Sequence, residues 1–373
     1  MKKEMTSLDL YYLIPEMRNA LEGGVFRKVY NYRKKEFRFE VFSPSRGTFW
    51  LYTSQGLVFL TKTKKESPPE PSSFCMFLRK HLLGKKITEI RQHDFDRILE
   101  IITSDGVLVI ELMRPGNVIL ADNLGNVIMP EEIQVYKDRS IKPKQPYKYP
   151  PRPTSPFSLD LNLFAKMLND SGKRLGVFMA GLLGPGYSDE VCKRAGLDPQ
   201  KDSPLGREHA VILFNEMYEL GKQHQSAMVY PETVSPFQLK SLTGGEQYPS
   251  FSDALDAFFT PKLAEDDAEE ETAKEEEKIE RIQQAQEERK EELAVKNVEK
   301  KEEADLIYAH YGTVQSVLDA INRAKDSGMS WSELKSRIES ESSPEADAVQ
   351  EIREHDGIVV LRLGNKDVEI DFR

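Results

Sequence analysis

Between Leu8 and Leu21 apolar residues recur at i, i+3 and i+4, and the run stops at Gly23-Gly24, which predicts one helix closed by glycine. From Val25 the period becomes two. Alternating segments predict strands over 24–32, 36–42, 48–53, 56–61, 87–93, 97–103, 106–111 and 117–122, parted by Ser-Gly, Asp-Gly and Pro-Gly turns. A short helix is predicted over 74–83, between the two groups of strands. The fold class is therefore α+β, with an antiparallel β-sandwich or barrel flanked by helices as the N-terminal body.

Pro143, Pro146, Pro150, Pro151, Pro153 and Pro156 make the following stretch extended and place a boundary after a first domain at 1–153. Helical periodicity resumes over 161–220, interrupted at Leu182-Leu183-Gly184-Pro185-Gly186-Tyr187-Ser188 before a helix at 189–195, which defines a second domain at 154–230. An extended piece over 229–252 leads to a helix at 254–259, so 231–262 reads as a segment returning to the body. From 263 to 304 the chain is almost entirely Glu, Lys, Gln, Ala and Arg, with sparse apolar positions at Ile279, Ile282, Leu293, Val295 and Val298. That composition predicts a long helix with a thin coiled-coil seam. Helices at 306–324 and 331–338 and strands at 357–363 and 366–372 form a small α/β domain at 305–373. Its chain stops directly after an apolar strand, so an incomplete domain of a longer protein is expected.

Charge refines this division. Charged residues make up 31% of the chain, above the roughly 25% of ordinary soluble proteins. The net charge of −10 hides an asymmetry: 1–153 carries 26 Lys+Arg against 18 Asp+Glu, 154–262 carries 10 against 13, and 263–373 carries 16 against 31. A basic body joined to an acidic C-terminal third points to a polyanion partner for the body. The basic residues cluster at Arg27-Lys28, Arg33-Lys34-Lys35, 62–65, Arg79-Lys80 and Lys85-Lys86, then at Lys137, Arg139, Lys142, Lys144 and Lys148. Tyr30, Tyr32, Phe37, Phe39, Phe42, Phe49, Trp50 and Tyr52 interleave the first of them. Stacking plus phosphate neutralisation is what single-stranded or looped nucleic acid requires, although half-buried strands show the same alternation.

Several function classes fall away. No apolar run approaches the roughly 18 residues of a membrane span, and the opening Met1-Lys2-Lys3-Glu4 leads into no secretory h-region. Cys75 and Cys192 belong to no CxxC or Cys/His cluster, which argues for a reducing, cytoplasmic setting and against zinc. The six histidines are scattered, and phosphate-loop, dinucleotide, zincin and serine-hydrolase motifs are missing. No cofactor, metal or catalytic residue is expected.

Two constellations remain. Gly184, Gly186, Tyr187 and Ser188 lie between helical stretches as in the hairpin of a helix-hairpin-helix, where backbone amides opening the next helix can hold a phosphate. A purely structural corner would look the same. His93-Asp94-Phe95-Asp96-Arg97-Ile98-Leu99 sets an acid beside a base at the start of a strand. Either Asp96 is a turn or cap residue and Arg97 a surface cation, or both face RNA, Arg97 through a phosphate or stacking contact and Asp96 by accepting from a base edge.

Leu8-Asp9, Phe95-Asp96-Arg97-Ile98, 114–120 (Arg-Pro-Gly-Asn-Val-Ile-Leu), 248–256 (Tyr-Pro-Ser-Phe-Ser-Asp-Ala-Leu-Asp), 304–308 (Ala-Asp-Leu-Ile-Tyr) and Trp331 together resemble the NFACT family of ribosome quality-control factors, the NEMF/RqcH type once grouped as fibronectin-binding-like proteins. The resemblance covers essentially the whole chain. It implies an N-terminal domain like the body of formamidopyrimidine-type DNA glycosylases, a helix-hairpin-helix domain, the first arm of a coiled coil and a middle domain at its tip. It also implies binding to large ribosomal subunits obstructed by peptidyl-tRNA, and recruitment of tRNA, alanyl-tRNA above all, so that alanine, or alanine and threonine, is added without mRNA. Peptide-bond chemistry stays with the ribosome. An E3 ligase or another quality-control factor, and a second copy through the coiled-coil arm, are further implied partners; a membrane is not. Asp9, Asp96 and Arg97 match positions that the family needs for tailing and tRNA engagement. Full-length members continue with a returning helix and a further domain. The alternative, a glycosylase-like nucleic-acid-binding protein, lacks its expected chemistry: Lys2 and Lys3 stand where those enzymes carry an N-terminal Pro and Glu, and no Cys cluster offers a zinc finger.

Overall fold

Thr6 opens the first helix. Its hydroxyl accepts the Asp9 amide at 3.2 Å while the Asp9 carboxylate accepts the Thr6 amide at 2.7 Å, a reciprocal cap that fixes the start of α1 (Ser7–Leu21). Leu8, Leu10, Leu13, Met17 and Leu21 of α1 are completely buried, each contributing about 1.5–3 kcal/mol relative to exposure. The computed structural model describes residues 1–63, 65, 70–151, 155–202 and 204–373. Lys64 of the basic cluster, and Pro153 with the boundary expected beside it, lie outside the described residues.

The eight strands legible from alternation form two antiparallel meanders. The first comprises β1 (Val25–Arg33), β2 (Glu36–Ser43), β3 (Gly47–Ser54) and β4 (Leu57–Thr61), paired in that order. After α2 (Ser73–Leu82) come β5 (Ile87–Gln92), β6 (Ile98–Thr103), β7 (Gly106–Glu111), β8 (Asn117–Ala121) and β9 (Val127–Pro130), also paired in order. The sheets meet where Val25 bridges Lys86. Phe37, Phe39 and Val41 of β2 turn to the core shared with α1, so Arg38 and Glu40 turn to the other face. The second sheet is covered on both sides: Leu99, Ile101, Leu108 and Ile110 join the core of α1, while Ile98, Val109, Ile119 and Val127 pack with Ile141, Tyr147 and Tyr149. Burial on both faces explains why β6 to β8 read as nearly continuous apolar runs. β10 (Gln134–Val135) and β11 (Ser140–Ile141) form a small hairpin, and Arg139 fastens it by a bidentate contact of 2.6 and 3.0 Å to the buried Glu111.

Beyond a short 3-10 turn (Pro156–Ser158) the chain forms α3 (Leu161–Asp170), α4 (Leu175–Leu183), α5 (Pro185–Ala195) and α6 (Arg207–Leu220), then the short strands β12 (Met228–Val229), β13 (Val234–Ser235) and β14 (Glu246–Gln247). Phe164, Leu168, Met179 and Leu213 of these helices, with Phe237 just after β13, belong to the same core as α1 and the first sheet. α7 (Phe251–Ala309) begins against α1, where the Glu16 carboxylate accepts the Phe251 and Ser252 amides at 2.7 and 2.8 Å. The chain divides into two compact units, Met1–Asp267 and Ala268–Arg373, and the division falls inside α7.

In the second unit α8 (Tyr311–Asp326), α9 (Trp331–Ser340) and α10 (Pro344–Ala348) accompany an antiparallel sheet of β15 (Val349–Arg353), β16 (Ile358–Leu363) and β17 (Lys366–Asp371). Val314, Val317 and Ile321 pack on Val359, Leu361 and Val368, and Trp331 lies 5.5 Å from Phe372.

Three expectations are corrected. The hairpin expected over 184–188 shrinks to Gly184 alone, because Pro185 supplies the first helical residue, where a missing amide costs nothing. The helices expected at 254–259 and from 263 are one, with Pro261 accommodated inside α7. The helix expected over 306–324 breaks at His310.

Candidate nucleic-acid interface

Asp9 sits at the centre of a buried network. Its carboxylate accepts Lys2 Nζ at 2.7 Å, the Thr6 amide at 2.7 Å, the Thr6 hydroxyl at 2.9 Å and the Tyr187 hydroxyl at 2.6 Å. Lys2 also donates to the Val234 carbonyl at 2.9 Å. Burial pushes the Tyr187 hydroxyl well above its ordinary range, with the Asp9 charge adding to it, so Tyr187 is a neutral donor. Asp9 is fully buried and ties the N-terminal segment, α1, α5 and β13 together.

Gly184 makes this approach possible. It joins α4 to α5 with φ +95° and ψ 160°, a conformation essentially reserved for glycine. A Cβ there would stand 2.3 Å from Thr6 Cγ2. Tyr187 and Ser188 are turned inward, Ser188 donating to the Gly176 carbonyl at 2.7 Å and its amide to the Gly184 carbonyl at 3.0 Å. Neither presents its hydroxyl as a hairpin loop would; Pro185 and Gly186 are what the helix start exposes.

A cavity of about 870 Å³ opens over this network, lined by Lys2, Lys3, Thr6, Arg97, Arg114, Gly186 and Tyr187 among others. Glu4 holds two guanidinium groups on its wall, accepting Arg97 at 2.9 Å and pairing with Arg114. Arg97 is partly exposed and Arg114 largely so. Each guanidinium has five donors, and Glu4 engages one nitrogen of each, so both retain donors for an anion. The amides at the start of α5 and its dipole add positive character to the lining, which Asp189 and Glu232 also enter with negative charge.

Asp96 is placed otherwise. It is buried, in the turn before β6, and accepts the Arg97 amide at 2.7 Å, which holds the Arg97 backbone rather than its side chain. Burial pushes its carboxyl above the usual range, partly opposed by the Arg97 amide and charge. A raised value means that the folded state holds the proton more tightly than the unfolded one, so this group favours the fold at low pH and opposes it as pH rises through the folded value. Asp96→Asn keeps the acceptor and removes the charge. It is expected to melt above the parent at pH 7 and to match it near pH 3, below the ordinary aspartate range of about 3.9; calorimetric melts at the two pH values check this.

Of the residues singled out in sequence, Arg97, Gly186 and Tyr187 line one cavity, and Asp9 and Gly184 lie in the buried network beneath it. Ser188 and Asp96 stand behind it. Lys2, Lys3 and Arg114 were noted in sequence but not assigned to a site, Glu4 was not singled out, and only the Thr6-x-x-Asp9 cap had a local signature. Among the described residues no group of three His, Cys, Asp or Glu could hold a metal, and no helix is long and apolar enough to cross a membrane.

The NFACT N-terminal and middle domains family model matches residues 6–357. This chain belongs to the NFACT family. Among NFACT relatives, it is similar to the archaeal Rqc2 homolog aRqcH of Methanocaldococcus jannaschii, 31% identical over 97% of this chain and 58% of that protein. It is also similar to the Rqc2 homolog RqcH of Bacillus subtilis, 28% identical over 69% of this chain and 49% of that protein. A third relative, ribosome quality control complex subunit 2 of Saccharomyces cerevisiae, is 37% identical over 33% of this chain and 12% of that protein. The NFACT chain thus spans less than two thirds of each of these relatives. In fold it is similar to the N-terminal part of the fibronectin/fibrinogen-binding protein of Streptococcus suis, with TM-score 0.54 and 23% identity over 69% of this chain and all of that one. The fibrinogen-binding protein of Staphylococcus aureus matches with TM-score 0.58 and 19% identity over 68% of this chain and 98% of that one.

Proposed function

We propose that this NFACT chain is the N-terminal and middle part of a ribosome quality-control factor. It engages large ribosomal subunits obstructed by peptidyl-tRNA and recruits tRNA for mRNA-independent C-terminal alanine, or alanine and threonine, tailing. The observation that carries the reading is the cavity in which Arg97, Arg114, Lys2, Lys3 and the start of α5 meet. Two guanidinium groups and a helix N-terminus suit consecutive phosphates of a folded RNA. The names of the M. jannaschii, B. subtilis and S. cerevisiae relatives support the ribosomal setting.

In this reading Arg97 contacts RNA, while Asp9 and Asp96 act by position: one holds α5 against α1, the other fixes the Arg97 backbone. The pair α4 and α5 acts as a helix-hairpin-helix with the phosphate at Gly186 and Tyr187, on a glycosylase-like body without base-excision chemistry. The ribosome forms the peptide bond in the cytoplasm. The α7 arm pairs with a returning helix of the longer protein or a second copy, and the second unit meets ribosomal or ligase partners. Cosedimentation tests the ribosomal part: several-fold more protein is expected on subunits carrying peptidyl-tRNA than on empty ones, reduced by Arg97→Ala. Equal pelleting on both kinds of subunit contradicts it.

A further inference from the structure

The outer face of the first sheet carries a second groove, of about 850 Å³, which shares no lining residue with the Arg97 cavity and is closed by the start of α7 at Ser250, Ser252 and Asp253. Pairing register places Tyr30, Arg38 and Tyr52 in one row across the sheet and Lys28, Glu40 and Trp50 in the next. Tyr30 and Trp50 stack across the rows, with centroids 5.9 Å apart and planes 27° apart, and both stay half-buried. Phe37 and Phe39, which the alternation had grouped with them, face the core instead.

Most cations here are already compensated. Lys28 pairs with Glu40 at 3.0 Å, Lys62 with Asp253 at 2.5 Å, and Lys65 with Glu36 at 3.2 Å and Asp267 at 2.5 Å. Arg38 is the exception. It is 6% exposed, its guanidinium lies 5.6 and 5.4 Å from the Tyr32 and Tyr52 ring centroids, and it donates to the Thr63 carbonyl at 2.7 Å. Among the described residues it has no ion-pair partner; Glu36 and Glu40, two positions away on the same face, pair with Lys65 and Lys28. Its Nε and the buried Ser252 hydroxyl, both on this groove, have no hydrogen-bond partner. A buried cation is normally paired. Two unpartnered donors beside an aromatic platform call for an anion that carries a flat ring.

We propose that this groove binds a nucleoside phosphate, with the phosphate at Arg38 and Ser252 and the base on Trp50 and Tyr30. The shared chemistry is that of a free nucleotide or of an unstacked nucleotide within an RNA strand; only the choice of RNA as the source rests on the function proposed above. Phosphate neutralisation and base stacking, at one site, are the two contributions that hold single-stranded nucleic acid.

Trp331→Phe leaves Trp50 as the sole tryptophan and keeps a ring against Phe372. In that background uridine 5′-monophosphate and oligouridylate are each expected to quench Trp50 emission saturably. Arg38→Met is expected to weaken both at least tenfold while keeping the thermal transition, because an apolar isostere replaces an unpaired buried charge. Trp50→Leu, followed by calorimetry, should lose binding to the same degree. An oligonucleotide bound tenfold or more tightly than the monophosphate assigns the groove to RNA strands; equal affinities assign it to a free nucleotide. Unchanged emission at millimolar concentrations of both overturns the proposal, as does inorganic phosphate competing as well as the monophosphate, or full binding by Arg38→Met. Arg97→Ala, measured on tRNA, separates the two sites: its failure to weaken tRNA binding removes the cavity's role and leaves the groove standing.

Discussion

Asp9→Ala is expected to lower the stability of the first unit by about 3 to 5 kcal/mol, the usual cost of removing one partner from a buried ion pair. The substitution leaves the Lys2 ammonium, 11% exposed, without its carboxylate, and strips an acceptor from the Tyr187 hydroxyl and from the Thr6 amide. Urea unfolding followed by Trp50 emission in the Trp331→Phe background reads this unit alone, since Trp331 lies in the second. Asp9→Asn, which keeps an acceptor for Thr6, should fall between alanine and the parent. A loss below about 1 kcal/mol for Asp9→Ala, the range of an exposed pair, would mean that the network is not closed to water.

Gly184→Ala is the second large effect. Its backbone conformation is costly for any residue with a side chain, by about 1 to 3 kcal/mol, and the clash with Thr6 Cγ2, only 2.3 Å from the added Cβ, adds about 1 to 3 kcal/mol of overpacking. The expected total is about 2 to 6 kcal/mol in the same urea transition. Thr6→Ser in the same chain removes the clashing methyl while keeping the capping hydroxyl, and is expected to recover part of the loss. No recovery would place the cost in the backbone and in the 2.9 Å approach to the Cβ of residue 6, which serine keeps.

Much of the fold was legible because it is local. Eight strands followed from alternation and the first helix from its apolar spacing, each within a residue or two of its bounds. β9 escaped notice, being four residues long and ending in Pro130. The continuity of α7 escaped because Pro261 reads as a stop, although the Glu16 cap and the burial of Phe258 and Phe259 hold the helix together across it. The site was legible only in part. Asp9 stood out through family resemblance, Arg97 as the base beside Asp96 at the start of a strand and through the same resemblance, and Gly184 through its Gly-Pro-Gly context. Glu4, which gathers Arg97 and Arg114 from segments about a hundred residues away, has no local pattern. The basic clusters were visible as charge, but the carboxylates that compensate Lys28, Lys62 and Lys65 come from other strands and from α7, so net charge overstated how much of that face is open to a polyanion.

In the proposed function RNA is held at the Arg97 and Arg114 cavity. Titration of the chain against bulk tRNA and a matched DNA duplex across a salt series, beside the Arg97→Ala/Arg114→Ala variant, tests it most directly. Binding of tRNA in preference to the duplex, weakening with salt, is expected. In the double variant, binding should be weaker and the salt slope shallower by about 2, one unit per phosphate-contacting side chain. A variant that binds tRNA with the parent's affinity and slope would contradict it.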